Sequence, residues 1–340
     1  MYRVRRLFRL FLPFLLIALA PPAWAQTHAE SARLEEFRAG FMRVATTGFR
    51  MSTANAALCD RHEPGHGVQV HTLDQYPPAA RAAVSGHFSF AGPVAVAAVV
   101  RDSPAHRAGL RADDTLVSFG GVRFAPQGDG AASSGRLVAL WEQVAALPST
   151  APIRVDLLRD GAALSLTIQP VRACRTRYEL AFDPALEASA NGEMVRISSG
   201  YYDRFDVDLV AAVIAHELAH NILRHRERLK AVGAEFGFLS GFGRNADYFR
   251  QAELQADILA VHLLARAGYP SDLASRFRQH PVAKARSGAF RLRSHPHWKD
   301  RLKVALAEEA RIAADGPGAP FVAERDSPLT GDWRPLVPKD

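Results

Sequence analysis

Apolar residues recur at every third or fourth position near the start of the chain, where Leu34, Phe37 and Phe41 share one face of a helix predicted over residues 29–57. This period is typical of an amphipathic helix. A stretch rich in Gly, Pro and His follows at residues 60–71 and predicts a loop. No acid or thiol joins its histidines at a defined spacing, so we interpret them as solvated side chains and not as metal ligands. These histidines are His62, His66 and His71.

The hydrophobic pattern changes from about residue 85. A β-branched run at residues 94–100 predicts a strand, and a second strand at 115–119 is followed by a tight Gly-Gly turn. Residues 137–147 have helical spacing, and residues 153–168 form two apolar runs around an Arg-Asp-Gly turn. Short strands separated by tight turns predict a β-rich unit in this part of the chain.

The second half of the chain is dominated by helical patterns. Residues 209–228 are predicted to form one long helix, with Asp206 or Asp208 as its N-cap. Within it, His216 and His220 stand four positions apart and therefore project from one helical face. Two imidazoles so placed can reach a single zinc ion.

A catalytic zinc keeps three protein ligands and one open position. Glu217 lies between the two histidines in sequence and can act as a general base on a water molecule. On a second predicted helix, Glu253 and Asp257 are four positions apart among apolar neighbours, where unpaired carboxylates are costly. Glu253 is therefore predicted as the third ligand, and Asp257 as the residue that orients a ligating histidine. A solvated acidic face is the alternative.

The first 25 residues carry four arginines and no acid, and an apolar run at residues 10–20 precedes Ala23 and Ala25. This order is typical of a secretory signal peptide cleaved after Ala25, with an uncleaved anchor as the alternative. No later segment reaches the roughly 18 apolar residues that a membrane span needs. The net charge of +7 falls to +3 without this segment, since 38 basic residues then face 35 acidic ones. This balance excludes an electrostatic case for nucleic acid, and we expect a periplasmic protein.

Export makes the two cysteines informative, because disulfides persist in oxidising compartments. Cys59 precedes the β-rich unit and Cys174 follows it. A bridge between them would clamp the base of an inserted domain, and two buried free thiols are the alternative.

The run from Ser103 to Gly121, SPAHRAGLRADDTLVSFGG, has the spacing of a known signature, with Asp113 where a glycine is usual. With the later hairpin, it resembles PDZ domains of the bacterial protease type over residues 85–171. The resemblance implies capture of an extended chain end beside an edge strand. It places the carboxylate-binding loop near residues 86–90 and the other wall of the groove at the 137–147 helix. A purely structural module is the alternative.

Five short motifs follow one another in the second half of the chain. They are a strand at residues 194–200 that ends in SSG, the helix at 213–220, ELQAD at 253–257, AGYP at 267–270, and Ser294-His295-Pro296 with Arg301 beyond. Over residues 173–312 they resemble the zinc metallopeptidases of the HtpX and CAAX-prenyl-protease type. This gluzincin group includes exported members such as the BepA-like proteins.

The resemblance implies one zinc ion per chain, bound by His216, His220 and Glu253, with Glu217 as the catalytic base. It places His295 near the active site, where it would steady the transition-state oxyanion. For His295, a loop histidine before proline is the alternative. For Arg301 the resemblance implies a contact that orders the site.

Together these patterns predict an α+β protein: a mainly helical zincin-type metallopeptidase domain with a small antiparallel sheet, and an inserted β-rich PDZ domain. The predicted segments are a signal peptide at 1–25, the N-terminal helix and start of the peptidase domain at 26–84, the PDZ domain at 85–171, the peptidase domain at 172–312 and a tail at 313–340.

The predicted function is that of an exported zinc metalloendopeptidase that cleaves unfolded or damaged envelope proteins. Its polypeptide substrates would lie along an edge strand at residues 195–199, and the PDZ domain would tether substrates or partners. The alternative is an envelope assembly or binding factor whose metal site is latent or structural.

Overall fold

The computed structural model describes residues 23–124, 130–270, 272–286 and 295–339, so residues 1–22 of the expected signal peptide lie outside the described residues. The helices are α1 (Ala23–Ala54), α2 (Arg81–His87), α3 (Pro104–Arg107), α4 (Gly135–Ala145), α5 (Ser199–Tyr202), α6 (Val207–Ile222), α7 (His225–Ala231), α8 (Gly243–Arg266), α9 (Leu273–Gln279), α10 (Pro281–Arg286) and α11 (Trp298–Asp315). No helix in these ranges has the length and hydropathy that crossing a membrane requires.

The described strands form three sheets. They are β1 (His62–Gly65), β2 (Val68–Thr72), β3 (Val94–Val99), β4 (Thr115–Phe119), β5 (Val122–Arg123), β6 (Ile153–Arg159), β7 (Ala162–Ile168), β8 (Val171–Cys174), β9 (Arg177–Ala181), β10 (Ala188–Ala190) and β11 (Met194–Ser198). The largest sheet has the order β2-β3-β4-β6-β7, with β5 paired to β4. All of its strand pairs are antiparallel.

This largest sheet buries one face. Along β6 the side chains of Ile153, Val155 and Leu157 are buried, whereas those between them are not. Such alternation is expected where one face of a sheet meets the core. Helix α4 covers that face with Leu140 and Val144. The sheet begins at β2, ahead of residue 85. In this strand Val68 and Val70 of the Gly, Pro and His-rich stretch bury their side chains on the same face.

The prediction of a solvated loop at residues 60–71 is wrong, because β1 and β2 run through it. His71 is buried, and its Nδ1 lies 2.9 Å from the Tyr76 hydroxyl. The His66 ring stacks on Trp141 with 5.2 Å between centroids. Burial lowers the pKa of His66 to about 4 and that of His71, with help from Arg38, to about 3. These histidines are neutral packing residues.

The strand pair β1–β8, here called the neck, joins the large sheet to the rest of the chain, and helix α1 also packs against that sheet. Strands β1 and β8 pair antiparallel, with His62 opposite Cys174. The structure joins Cys59 and Cys174 in a disulfide, with 5.5 Å between their Cα atoms. Both connections between the two parts are thus held together at one place.

The helical part is built on α6 and α8, which α9 and α11 cover. Its three-stranded sheet has the order β10-β11-β9, with β10 antiparallel to β11 and β11 parallel to β9. The predicted small antiparallel sheet is therefore mixed. The chain forms a hairpin from β10 into β11, and β11 then lies between β10 and β9.

The predicted helix at 209–228 is two helices in the structure. Asp206 is the N-cap residue of α6, as one of the two predicted options had it. Helix α6 ends at Ile222, and Arg224 adopts a left-handed conformation with φ of 51° before α7 begins at His225. The Arg224 guanidinium forms ion pairs with Asp60 and Asp326, so tertiary contacts break a helical pattern that the local sequence would continue.

Candidate metal centre and peptide groove

Helices α6 and α8 bring three predicted ligands together. Nε2 of His216 and Nε2 of His220 lie 3.1 Å apart. The Glu253 carboxylate lies 3.5 Å from the first nitrogen and 3.6 Å from the second. All three ligand atoms lie within 4.8 Å of one another. This geometry follows from the i,i+4 spacing on α6 and from the crossing of α8 over it.

A buried alanine precedes each ligand and Asp257 along the two helices. Ala215 and Ala219 of α6 and Ala256 of α8 belong to the core that the two helices share, whereas Ala252 packs with Leu229 and Leu329. Each polar group of the site therefore stands beside a buried apolar residue.

The donor set fits a zinc ion. Two imidazole nitrogens that lie 3.1 Å apart beside a carboxylate can each turn a lone pair toward one shared cation. Two nitrogens and one carboxylate oxygen are the ligands of one known class of catalytic zinc site, which leaves a fourth position open. The open side here is a cleft of about 540 Å³.

Asp257 contacts the first ligand, His216, on the ring nitrogen that faces away from the other two ligands. Its Oδ1 lies 2.9 Å from Nδ1 of His216, which directs the other ring nitrogen toward His220 and Glu253. Arg301 donates two hydrogen bonds to Asp257, at 2.5 and 2.7 Å, and Arg278 donates one at 2.5 Å. Burial would raise the pKa of Asp257, but these two guanidinium groups hold it well below its usual range.

The electrostatics of the cleft favour a positive charge between the ligands. Burial lowers the pKa of His216, but Asp257 and Glu253 outweigh burial and raise it to about 9. Burial lowers the pKa of His220 to about 3, with His216 adding to the effect. The pKa of Glu253 lies well below its ordinary value, because His295 and His216 outweigh its burial.

The remaining predicted residues lie in the same cleft. Glu217 faces it, and burial raises the pKa of this carboxyl to about 7. His295 places Nδ1 at 3.0 Å from Glu253 Oε2, and its side chain is 41% exposed. Arg301 reaches the same oxygen at 3.3 Å, so it contacts both acids of α8.

The structure corrects the strand expected to hold substrate. Residues 194–198 form β11, which has a paired neighbour on each side and offers no free edge. Strand β10 is at the edge of the sheet, and Ala188, Ser189 and Ala190 line the cleft. The sequence could not order these strands, because the pairing of β11 with β9 is a contact that local patterns along the chain do not reveal.

Two residues of the site were missed from the sequence. Arg278 on α9 is the second guanidinium on Asp257, and nothing in its local sequence marks it. His225 places Nδ1 at 2.9 Å from Nδ1 of His220. Its signal was a third histidine soon after the pair, which the assumption of one continuous helix placed on another face. Burial holds the pKa of His225 well below its ordinary value.

A second cavity, of about 560 Å³, lies beside the largest sheet. Val68 and Val70 of β2 and Leu137 and Trp141 of α4 line it, together with apolar side chains of α1. Among the described strands β2 pairs with β3 alone, so its outer edge faces this groove. The wall predicted at the 137–147 helix is therefore present as α4.

The predicted carboxylate-binding loop is in the wrong place. Residues 86–87 end α2, and Phe88 is buried in a cluster with Leu34 and Val84. Within the described chain, none of residues 86–90 lines the groove, whereas the turn between β1 and β2 at residues 65–67 does. The prediction failed because it began the unit at residue 85 and so left β2 out.

Comparisons with known proteins identify the domain to which the largest sheet belongs. A family model described as a PDZ domain matches residues 95–131, a range that includes most of β3 and all of β4 and β5. The chain contains a PDZ domain. No curated protein matches the chain. A solved structure, the HtrA-type protease AlgW with decapeptide, matches at 26% identity and a TM-score of 0.24, and covers 33% of this chain and 30% of that chain. An AlgW variant with decapeptide matches at 28% identity and a TM-score of 0.23, over 33% and 29%.

The expected assignment to a metallopeptidase family is not borne out. The family model is that of a PDZ domain and both solved structures are described as HtrA-type proteases, so the assignment of the chain to the gluzincin metalloendopeptidases is withdrawn. The matches span a third of this chain and less than a third of the AlgW chains.

Proposed function

We propose that this protein is an exported hydrolase of polypeptides, in which the PDZ domain tethers a substrate or partner and the cleft between α6 and α8 cleaves peptide bonds with a bound zinc ion. The observation that carries the proposal is the convergence of His216, His220 and Glu253 within 4.8 Å, beside Glu217, in an open cleft. The alternative function predicted from the sequence is that of an assembly or binding factor with a latent or structural metal site. It needs the same three converging side chains but has no hydrolytic activity.

The proposed metal ligands are His216, His220 and Glu253. A zinc ion held there supplies a Lewis acid that lowers the pKa of water and polarises a carbonyl group. Glu217 then accepts the proton of the attacking water and returns it to the leaving amine. Its pKa, raised by burial to about 7, suits both transfers near neutral pH.

The residues around the ligands have supporting roles in this proposal. Asp257 fixes the ring of His216, and Arg301 and Arg278 neutralise Asp257. His295 stands at the mouth of the cleft, where its ring can donate to an oxyanion that develops on the substrate carbonyl.

Among the described strands β10 pairs with β11 alone, and its other edge suits an extended polypeptide, because main-chain groups of a sheet edge pair with an added strand. A substrate that is extended over several residues is an unfolded or damaged one. The groove between β2 and α4 would tether such a chain in the same way. The arginine-rich and then apolar pattern of the first 25 residues supports export, so envelope proteins are the proposed substrates.

The decisive experiment compares Glu217→Gln with the wild-type protein on unfolded casein, with zinc content measured in both. We expect casein hydrolysis to fall by at least about 100-fold, the usual scale for loss of a general base. Zinc content should stay at one ion per chain. Asp208→Asn is the matched control, because Asp208 is an exposed acid on the same helix. This control should keep full activity.

Two reagents separate the possible chemistries. A chelator should abolish hydrolysis and added zinc should restore it, whereas a serine-directed fluorophosphonate should leave it unchanged. Inhibition by the fluorophosphonate, or full activity of Glu217→Gln, contradicts the proposal. One bound zinc ion without hydrolysis of any unfolded protein favours the assembly or binding factor.

A further inference from the structure

A line of contacting side chains runs from His220 away from the cleft to the C-terminal segment. Nδ1 of His220 lies 2.9 Å from Nδ1 of His225, and Nε2 of His225 lies 3.2 Å from Oε1 of Gln255. Arg228 donates to that same oxygen at 3.1 Å. Its Nε donates to the backbone carbonyl of Ser327 at 2.8 Å. His225, Gln255 and Arg228 are all buried.

The position of each hydrogen along this line follows from Arg228, because a guanidinium only donates. Oε1 of Gln255 accepts from Arg228, so the His225 Nε2 that faces the same oxygen carries a hydrogen. A neutral imidazole carries one ring N–H, and His225 therefore accepts at Nδ1. His220 donates from Nδ1, which leaves the lone pair of its Nε2 directed at the other two ligands.

The break between α6 and α7 makes this contact possible. In an uninterrupted helix, a residue five positions on is rotated by about 140° and points away from the first. The left-handed conformation of Arg224 reverses the chain direction locally and returns His225 to His220. Ion pairs from Arg224 to Asp60 and to Asp326 hold this conformation.

The C-terminal segment at residues 321–333, here called the C-terminal strap, is tied to the same helices. Leu329 is buried in a cluster with Leu229 of α7 and Ala252 of α8. The backbone N–H groups of strap residues 330 and 331 both donate to Oε1 of Gln251, at 3.0 and 2.8 Å. These contacts hold the chain after the Ser327 carbonyl that receives Arg228, and the ion pair of Asp326 with Arg224 holds it before that carbonyl.

We propose that His225 is a positioning residue for His220, and that the C-terminal strap, acting through Arg228 and Gln255, holds His225 in place. The affinity of the cleft for a divalent cation then depends on a segment that does not line the cleft. The inference rests on the metal site of the proposed function. Groups that orient a ligating histidine typically change metal affinity by about 10- to 100-fold.

The first test measures zinc affinity of the full-length oxidised protein by competition with a chromophoric chelator, and the absorption spectrum of the cobalt-loaded form. His225→Leu should bind zinc about 10- to 100-fold more weakly and change the cobalt spectrum. The zinc affinity and cobalt spectrum of His225→Gln should be closer to those of the wild type, since the new amide can accept a hydrogen bond from His220 and donate one to Gln255.

His262→Leu is the matched control for these variants. His262 is an equally buried histidine on α8, with Nε2 at 3.0 Å from Glu308 and Nδ1 accepting from the Gly318 backbone at 2.9 Å. Its loss should lower the melting temperature of the unloaded protein as His225→Leu does. Zinc affinity should stay unchanged.

The second test concerns the strap. Arg228→Met removes the donor that links Gln255 to the strap, and it should weaken zinc binding less than His225→Leu does. Combining the two changes should cost little more than His225→Leu alone, because variants along one line of contacts are not additive. Unchanged affinity in Arg228→Met, or additive effects, overturns the role of the strap.

The outcomes separate this inference from the proposed function. Where the wild type binds one zinc ion and His225→Leu binds it as tightly, the role of His225 is overturned and the metal site stands. Where the wild type binds no zinc, the proposed function fails, and the inference fails with it. If His225→Leu does not fold, the other two variants decide. The inference is overturned if both His225→Gln and Arg228→Met have the zinc affinity and the cobalt spectrum of the wild type.

Discussion

Two cavities in the described part of the protein are nearly equal in size and differ in chemistry. The cleft between α6 and α8 measures about 540 Å³, and imidazoles, carboxylates and guanidinium groups converge in it. The groove between β2 and α4 measures about 560 Å³, and many valine, leucine and aromatic side chains line it beside a smaller number of charged ones. A cavity of either kind fits a polypeptide segment. Whether a cavity only binds that segment or can also act on it chemically depends on the charged side chains that the fold places there.

Buried acids show the difference most clearly. In the cleft, Asp257 is ionised because two arginines offset its burial. At the groove, burial raises the pKa of Glu63 to about 7, although Arg175 and Arg177 are near. Both arginines form ion pairs with Glu142, which reduces their effect on Glu63. Burial alone therefore does not decide whether a carboxyl group is ionised, because nearby guanidinium groups can offset its effect on the pKa.

The largest expected effect is on the cleft alone. Changing His216 and His220 together to alanine should abolish zinc binding, because one carboxylate cannot hold the ion by itself. Binding of a fluorescent peptide with an apolar C-terminus to the groove should not change. Zinc analysis and fluorescence anisotropy measure the two effects, with His262→Ala as control. Loss of peptide binding would show that the cavities are not independent.

The disulfide at the neck should matter to stability more than to the cleft. Cys59→Ala with Cys174→Ala frees a loop of 115 residues, and the free energy of unfolding should fall by about 4 kcal/mol. Urea unfolding measures this, and the wild type under reducing conditions should show the same loss. Zinc affinity should be retained, since Cys59 and Cys174 do not line the cleft. An equal loss of zinc binding would contradict this separation.

Glu63 should make the folded protein less stable as pH rises. Its pKa is raised from 4.5 to about 7 on folding, so the folded state holds more protons between these values and loses stability across them. Glu63→Gln should therefore be more stable than the wild type above pH 7, by about 3 kcal/mol. Thermal melts from pH 4 to pH 8 test this, with the exposed Glu179→Gln as control. Parallel melting curves at every pH would contradict it.

The smallest expected effect is on the groove. Leu137→Ala removes an apolar contact from α4 and should weaken peptide binding about tenfold, or about 1.4 kcal/mol. Cleavage of a peptide too short to reach the groove should be unchanged. Leu164→Ala, an exposed leucine on β7 at the opposite edge of the sheet, is the control. Equal weakening by both variants would place the binding site elsewhere.

The sequence by itself determined the features that depend on neighbouring residues. The spacing of His216 and His220 places them on one helical face, because a helix repeats in under four residues. The hairpin of β6 and β7 was also predicted, since turn chemistry is local, and the start of α6 at Asp206 is one of the two predicted options.

Only the tertiary structure decided the features that depend on residues far apart in the chain. His71 is buried, β10 and not β11 is the sheet edge, and Arg224 interrupts the helix that the local pattern would continue. In the last case the partners are Asp60 and Asp326, more than 100 residues away on either side. Burial, strand order and ion pairs come from long-range contacts, and periodicity along the chain does not reveal those contacts.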